Sequence, residues 1–160
     1  MFWAEDWAWG ALASALTIFF HVAALFGMSF IIFHDSIARL RAKSLFVSIL
    51  VFSFLGTGAV LLHAMEAAGW AGLYHRLGAV DIYPDALLHS LGAFSTLGDT
   101  TVTIDRKWRL MLQVESLTAA VVLGLTTAFL FSALHRLQGL IDGGRARLDH
   151  FRPDKRSMEH

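Results

Sequence analysis

Long apolar stretches separated by short polar segments dominate the chain. Residues 11–33, 45–62 and 110–134 are each close to the roughly 20 apolar residues that cross a bilayer as a helix. The second stretch continues with mostly small and apolar residues towards Trp70. The period-two alternation of a transmembrane barrel is absent from the sequence. The pattern therefore predicts an all-α membrane protein with three transmembrane helices.

The segment between the second and third apolar stretches, residues 67–109, is too long for a turn and unusually apolar for a loop. Within it, Tyr83–Phe94 predicts a short helix, because Pro84 suits the first helical position and Asp85 places negative charge at the positive end of the helix dipole. This helix is too short to cross a bilayer, and a polar sequence, STLGDTT, follows it. Non-helical backbone at membrane depth is stable only inside protein or beside water. We therefore predict a re-entrant helix followed by a pore loop.

Composition narrows the class of protein further. Hydrophobic residues make up 56% of the chain and charged residues 16%, against roughly 45–50% and 25% in soluble domains. The 13 basic and 13 acidic residues balance, which gives no indication of a nucleic-acid partner, and the absence of cysteine excludes disulfides and thiolate chemistry. We expect membrane lipids as the surroundings and no enzymatic activity.

The basic residues predict the orientation. Nine lie in the 34–44 loop and after residue 135, and four lie in the segment between the second and third spans. By the positive-inside rule, the N-terminus is outside the cell and the C-terminus is cytoplasmic, in a multi-pass protein of the inner (plasma) membrane. Trp70 and Trp108 fit an aromatic belt at the outer face.

Residues 86–110, ALLHSLGAFSTLGDTTVTIDRKWRL, together with the long apolar stretch that follows, resemble the pore region of the potassium-channel superfamily. They are similar to small bacterial members in which a Thr-Leu-Gly-Tyr-Gly-Asp filter is followed, after a short linker, by Trp-Arg-Leu. HAMEAAGWAGLY, residues 63–74, looks like the outer end of the helix that precedes the pore in those relatives. The resemblance covers roughly residues 45–135.

The selectivity filter implied by this resemblance departs from the family pattern. Asp99 stands in place of the tyrosine, Thr100 in place of the second glycine and Thr101 in place of the terminal aspartate. A β-branched residue reaches the backbone angles of that glycine only at a cost of about 1–3 kcal/mol. The resemblance assigns the filter to Ser95, Thr96, Leu97, Gly98, Asp99, Thr100 and Thr101.

We expect this filter to pass cations with relaxed or altered selectivity, with K⁺, Na⁺ and Ca²⁺ as the candidate permeant ions and no cofactor. At Asp99 the sequence resembles relatives with a Thr-Val-Gly-Asp-Gly filter, which discriminate little between sodium and potassium. A ring of Asp99 carboxylates is a known kind of cation site at a pore mouth. In the alternative interpretation, Asp99 turns outward and only solvates the mouth.

A single pore loop without an internal repeat cannot surround an axis, so the resemblance implies a homotetramer. It divides the chain into a peripheral, lipid-facing helix with a basic cytoplasmic loop (residues 1–44), a pore domain (45–135) and a short basic cytoplasmic tail (136–160). We expect Gly143 and Gly144 to break any helix that continues into this tail.

Polar residues near the predicted pore are candidates for filter support. An ionisable group in the membrane, such as Glu115, needs a partner, and we expect it to bind hydroxyls of the pore loop such as those of Ser95 or Thr96. His63 and Glu66, three residues apart on one helix face, are predicted to form an interfacial pair.

The third span offers a candidate gate and a candidate cavity lining. Gly124 is either a gating hinge or a site of close helix packing. Thr126 and Thr127 are expected to face a water-filled cavity.

Two alternatives from other classes stay open. One is a channel-like subunit that does not conduct because its filter is altered. The other is a histidine-rich membrane metalloprotein, although no pair among its candidate ligands has the i, i+4 spacing of a metal-binding helix face. The candidate ligands are His21, His34, His63, Glu66, His75 and His89.

Overall fold

A computed structural model of the chain describes residues 2–33, 45–95, 102 and 104–150. Helices make up almost all of these residues, and no strand occurs among them. The elements are α1 (Phe2–Phe33), α2 (Leu45–Arg76), α3 (Tyr83–Phe94), a 3₁₀ turn (Arg106–Trp108) and α4 (Arg109–His150).

Three helical segments are long and apolar enough to cross a membrane: Ala4–Ile32, Leu45–Arg76 and Arg106–Gly139. The three-helix prediction is confirmed to that extent, and each segment is longer than the apolar stretch that indicated it. The predicted break at Gly143 and Gly144 is wrong, because α4 continues through both residues to His150. Each glycine costs a helix about 1 kcal/mol relative to alanine, and the good helix formers around the pair, such as leucine, arginine and alanine, offset this cost.

A tight turn reverses the chain between α2 and α3. Gly78 has a φ of +66°, in the left-handed region that favours glycine. Its N–H donates to the carbonyl of His75, and the Ala79 N–H donates to the carbonyl of Tyr74 at 2.9 Å. This is the Schellman arrangement that ends a helix and satisfies its last carbonyls. The chain then enters α3 through Ile82, whose backbone is extended, and Pro84 lies in the first turn as predicted.

Helix α3 runs back along α2 from its end towards its middle. At the start of α3, the Tyr83 ring lies 6.3 Å from the ring of His75. At its end, the Phe94 ring lies 6.2 Å from the ring of His63, which precedes the last residue of α2 by 13 positions. Because a helix rises about 1.5 Å per residue, α3 covers roughly 18 Å and ends beside the central part of α2.

An apolar core joins α2, α3 and the start of α4 at the end of the bundle where α2 ends. Trp70 and Trp108, only 2% and 5% exposed, lie at its centre with Tyr74, Ile104 and Met111. The prediction that these two tryptophans form an interfacial belt is wrong. Their large side chains fill the space between helices, and the Trp70 indole donates to Thr17 Oγ1 of α1 at 3.0 Å.

Helix α1 packs along α4 through small and polar side chains. A Cβ placed on Gly10 would lie 3.3 Å from the Val114 side chain, and the hydroxyls of Ser14 and Thr118 are 2.7 Å apart. Small residues allow two helices to approach closely in this way. The other side of α1 exposes large apolar residues, among them Phe19, Phe20, Phe26 and Phe30. The first helix therefore presents an apolar face, as expected, and also makes close contacts with α4.

Candidate functional site

A buried polar cluster lies where α1, α2 and α4 meet, and we call its four residues the His–Glu cluster: His21, His63, Glu66 and Thr126. His21 Nδ1 is 2.8 Å from Glu66 Oε1, and His63 Nδ1 is 3.4 Å from Glu66 Oε2. On the other side of the two rings, His63 Nε2 and His21 Nε2 lie 3.0 Å and 3.1 Å from Thr126 Oγ1. The four side chains thus form a closed ring of contacts, in which each histidine lies between the Glu66 carboxylate and the Thr126 hydroxyl.

The cluster is nearly sealed from its surroundings. The side chains of His21, Glu66 and His63 are 0%, 6% and 19% exposed. The imidazole rings of His21 and His63 lie face to face at a tilt, with centroids 5.3 Å apart. A charge buried in this way is stable only with partners, and the groups of the cluster provide them for one another.

The predicted contact between His63 and Glu66 is confirmed, but its predicted interfacial location is wrong. Residues three apart on α2 share a face, and this face turns inward, towards α1 and α4. The predicted cavity position of Thr126 is also wrong, because its side chain is buried between the two histidines.

A second buried carboxylate, Glu115 of α4, lies where α2, α3 and α4 meet. It is fully buried, and Tyr74 Oη donates to its Oε2 at 2.7 Å. The Ser90 hydroxyl of α3 also lies beside the carboxylate, although not in the geometry of a hydrogen bond. The His89 ring, also on α3, meets the Tyr74 ring edge to face at 5.7 Å. Glu115 therefore links α2 with α4 and lies directly against α3.

Of the two hydroxyls predicted to bind Glu115, that of Ser95 binds elsewhere and that of Thr96 lies outside the described residues. Ser95, the first residue of the predicted filter, follows the end of α3, and its hydroxyl donates to the carbonyl of Gly92 at 3.2 Å. The other predicted filter residues (Thr96, Leu97, Gly98, Asp99, Thr100 and Thr101) lie outside the described residues. Glu115 lies against the helix that leads into the predicted filter segment.

One face of α4 is exposed and carries small and apolar side chains. It forms a shallow hollow lined by Ala120, Leu123, Gly124, Thr127, Ala128 and Phe131. Outside its own helix backbone, no atom of the described residues lies within 4 Å of the position of a Cβ on Gly124. Gly124 therefore makes no close contact with another described helix, and its role as a hinge stays a prediction.

Two of the remaining candidate metal ligands, His75 and His89, are separated from the cluster. His75 lies at the end of α2, with its Nδ1 3.4 Å from the Val80 carbonyl oxygen. His89 is placed on α3 beside Tyr74. His34 lies outside the described residues.

Sequence reasoning missed the role of Asp6. Its carboxylate accepts hydrogen bonds from the backbone N–H groups of Leu110 and Met111, at 3.1 Å and 2.8 Å, and so caps the start of α4 from another helix. Aspartate is a preferred capping residue, but a cap supplied from about a hundred residues away leaves no local signature. The only signal for this cap in the sequence is the position of Asp6, an acidic residue just before an apolar stretch.

Comparison of the chain with protein-family models, with curated proteins and with solved structures gives no match.

Proposed function

We propose that this protein is the pore-forming subunit of a tetrameric cation channel in a membrane. The observation that carries the proposal is the course of α3, which returns along α2 from its end to its central part, between two helices long enough to cross a bilayer. A helix in this position reaches roughly the middle of the membrane, as a re-entrant pore helix does.

The position of the two ends of the filter segment supports this proposal. Phe94, at the end of α3, lies beside His63 near the middle of α2, whereas the Asp105 N–H donates to the carbonyl of Ala79, in the turn after α2, at 3.4 Å. The segment between these two ends therefore connects the middle of the membrane with one membrane face. The negative end of the α3 dipole lies at the deeper of these two points, where it favours a cation.

The contacts of α3 would hold such a pore helix in place. Ala86, His89, Ser90 and Ala93 are its buried residues, and it packs against both α2 and α4. The Tyr74–Glu115 hydrogen bond joins the two helices behind it. A filter needs this kind of fixed support, because its carbonyl oxygens replace the hydration shell of the ion.

The exposed face of α4 around Gly124 and Thr127 is the surface that we assign to the shared axis. It combines small side chains with the Thr127 hydroxyl, whose proton is donated to the Leu123 carbonyl within the helix. In a tetramer, four copies of this face would surround a cavity below the filter. The larger apolar side chains of α1, such as Phe19 and Phe26, would then face lipid.

Cation flux into liposomes that contain the purified protein tests the proposal. We expect uptake of K⁺ and Na⁺ with little discrimination, and we expect Asp99→Ala to change the ratio between the two ions or to reduce both. Asp81→Ala is the matched control, because Asp81 is an exposed aspartate before α3 and outside the predicted filter, and this variant should behave like the unmodified chain.

Each contrary result contradicts a different part of the proposal. No flux of any cation from a folded, tetrameric sample contradicts conduction and favours a non-conducting subunit. Strict selectivity for potassium contradicts the interpretation of the altered filter. Unchanged permeation in Asp99→Ala contradicts the acidic ring.

A further inference from the structure

We propose that His21, His63 and Glu66 bind one divalent transition-metal ion, with Zn²⁺ as the expected species, at the junction of α1, α2 and α4. One ligand atom from each side chain lies within 4.8 Å of the others. The two ring Nδ1 atoms face the two oxygens of one carboxylate. Two imidazoles and a carboxylate are a ligand set found at zinc sites with three protein ligands.

One of the two nitrogen–oxygen separations in the cluster equals the distance between two ligands of one metal. With bonds of about 2.0–2.1 Å, two ligands of a tetrahedral ion lie roughly 3.3–3.4 Å apart. His63 Nδ1 and Glu66 Oε2 are 3.4 Å apart, which is long for a hydrogen bond. His21 Nδ1 and Glu66 Oε1 are 2.8 Å apart, so metal binding would require this gap to widen by about 0.5 Å.

Thr126 is placed to accept hydrogen bonds from both imidazoles in the form that a metal at Nδ1 requires. A neutral histidine that binds a metal through Nδ1 carries its hydrogen on Nε2, and this N–H needs an acceptor. Both Nε2 atoms converge on Thr126 Oγ1, at 3.0 Å and 3.1 Å, and a hydroxyl oxygen has two lone pairs. One side chain therefore orients both ligands.

Hydrogen bonds alone satisfy three of the four contacts in the ring. Two neutral histidines and one threonine bring three side-chain hydrogens, which are enough for the bonds of 2.8, 3.0 and 3.1 Å. Glu66 Oε2, 3.4 Å from His63 Nδ1, is buried and has no hydrogen-bond partner among the described residues. With both Nε2–H groups directed at Thr126, the lone pairs of both Nδ1 atoms would face the carboxylate, and a cation between them would satisfy this oxygen as well.

The donor atoms select the class of metal. Imidazole nitrogen suits zinc and its neighbours in the first transition series, whereas Ca²⁺ and Mg²⁺ prefer sites made of oxygen. His63 is the most exposed ligand, at 19%, so the cluster is most open on its side. A water molecule entering there would complete a four-coordinate site.

Metal content of the full chain, purified in detergent, tests the proposal. The protein is stripped with a chelator and equilibrated with Zn²⁺ alone, and in a parallel sample with Co²⁺. We expect saturation at one ion per chain, and intense visible absorption from tetrahedral Co²⁺. Glu66→Gln and His21→Ala are expected to abolish both signals, whereas His75→Ala, which removes a histidine outside the cluster, keeps them.

Thr126 provides a test that does not depend on the ligand variants folding. Loss of a group that orients metal ligands typically weakens binding 10–100-fold. We expect Thr126→Val to weaken Zn²⁺ binding by this factor at unchanged stoichiometry, and Thr126→Ser, which keeps the hydroxyl, to bind as the unmodified chain does.

An unmodified chain that takes up no stoichiometric Zn²⁺ or Co²⁺ overturns the proposal and indicates that protons alone hold the ring. Equal binding by Glu66→Gln and the unmodified chain, or by Thr126→Val and Thr126→Ser, overturns it as well. Because these measurements need no ion flux, they stand independently of the proposed channel function.

Discussion

The Tyr74–Glu115 hydrogen bond shows what a single side chain contributes in this bundle. Both residues are fully buried, and the phenol is the group that donates to the carboxylate, at 2.7 Å. A hydrogen bond contributes about 0.5–1.5 kcal/mol, or about 1.5–3 kcal/mol when the acceptor is ionised, and a buried acceptor that loses its donor costs about 1–3 kcal/mol. The contact is therefore central to the junction of α2 and α4 behind α3.

We expect Tyr74→Phe to lower the free energy of unfolding by about 1–3 kcal/mol, because it removes the donor and keeps the ring. Tyr83→Phe is the matched control. Tyr83 is the other tyrosine of the chain, and its exposed hydroxyl makes only a 3.5 Å contact with the Ala68 carbonyl. Chemical unfolding in detergent measures both variants, and equal stabilities would contradict the assigned role of Tyr74.

At the scale of helices, the cap that Asp6 provides joins the first helix to the start of α4. The first backbone N–H groups of a helix have no partner within it, and Asp6 accepts from two of those at the start of α4. The same helix contributes His21 to the His–Glu cluster about four turns further along. α1 is thus fixed to α4 at two levels, and it has a structural role in the bundle.

We expect Asp6→Ala to destabilise the protein by about 0.5–2 kcal/mol, the usual cost of losing a capping side chain. Asp6→Asn keeps an acceptor and should lose less. The control is Glu5→Ala, which removes an exposed carboxylate paired with Lys107 at 2.8 Å and should leave the unfolding midpoint unchanged, since water screens such pairs. Thermal unfolding in detergent gives the comparison, and a loss in Glu5→Ala as large as that in Asp6→Ala would argue against the cap.

At the scale of the whole molecule, local patterns predicted the helices but not how they face one another. The apolar stretches predicted the three long helical segments, and Pro84 predicted the start of α3. Both predictions succeed because each signal lies within a few neighbouring residues. The His–Glu cluster joins residues 45 and 105 positions apart, and its formation depends on the rotation of each helix about its axis. In helices that are apolar on nearly every side, no hydrophobic face fixes that rotation in advance.

The absence of cysteine makes the predicted axis of the assembly testable with single-cysteine variants. Thr127 lies on the exposed face of α4 that we assign to a water-filled cavity, and Phe19 lies on the outward face of α1 and is 66% exposed. A charged thiol reagent reacts with the thiolate, which forms in water but not in lipid. We therefore expect the reagent to modify Thr127→Cys and to leave Phe19→Cys largely unmodified in liposomes.

The rate of modification, followed by mass spectrometry, decides between a shared cavity and a lipid-exposed face. If the four α4 helices surround water, Thr127→Cys reacts much faster than Phe19→Cys, and modification changes the cation flux. If both cysteines react equally slowly, the α4 face meets lipid and the tetrameric arrangement is wrong. A third variant, Phe20→Cys, controls for depth, because Phe20 is 62% exposed and lies on α1 next to His21, at the level of the His–Glu cluster to which Thr126 also belongs. A slow reaction at Phe20→Cys beside a fast one at Thr127→Cys would assign the difference to the face and not to the depth.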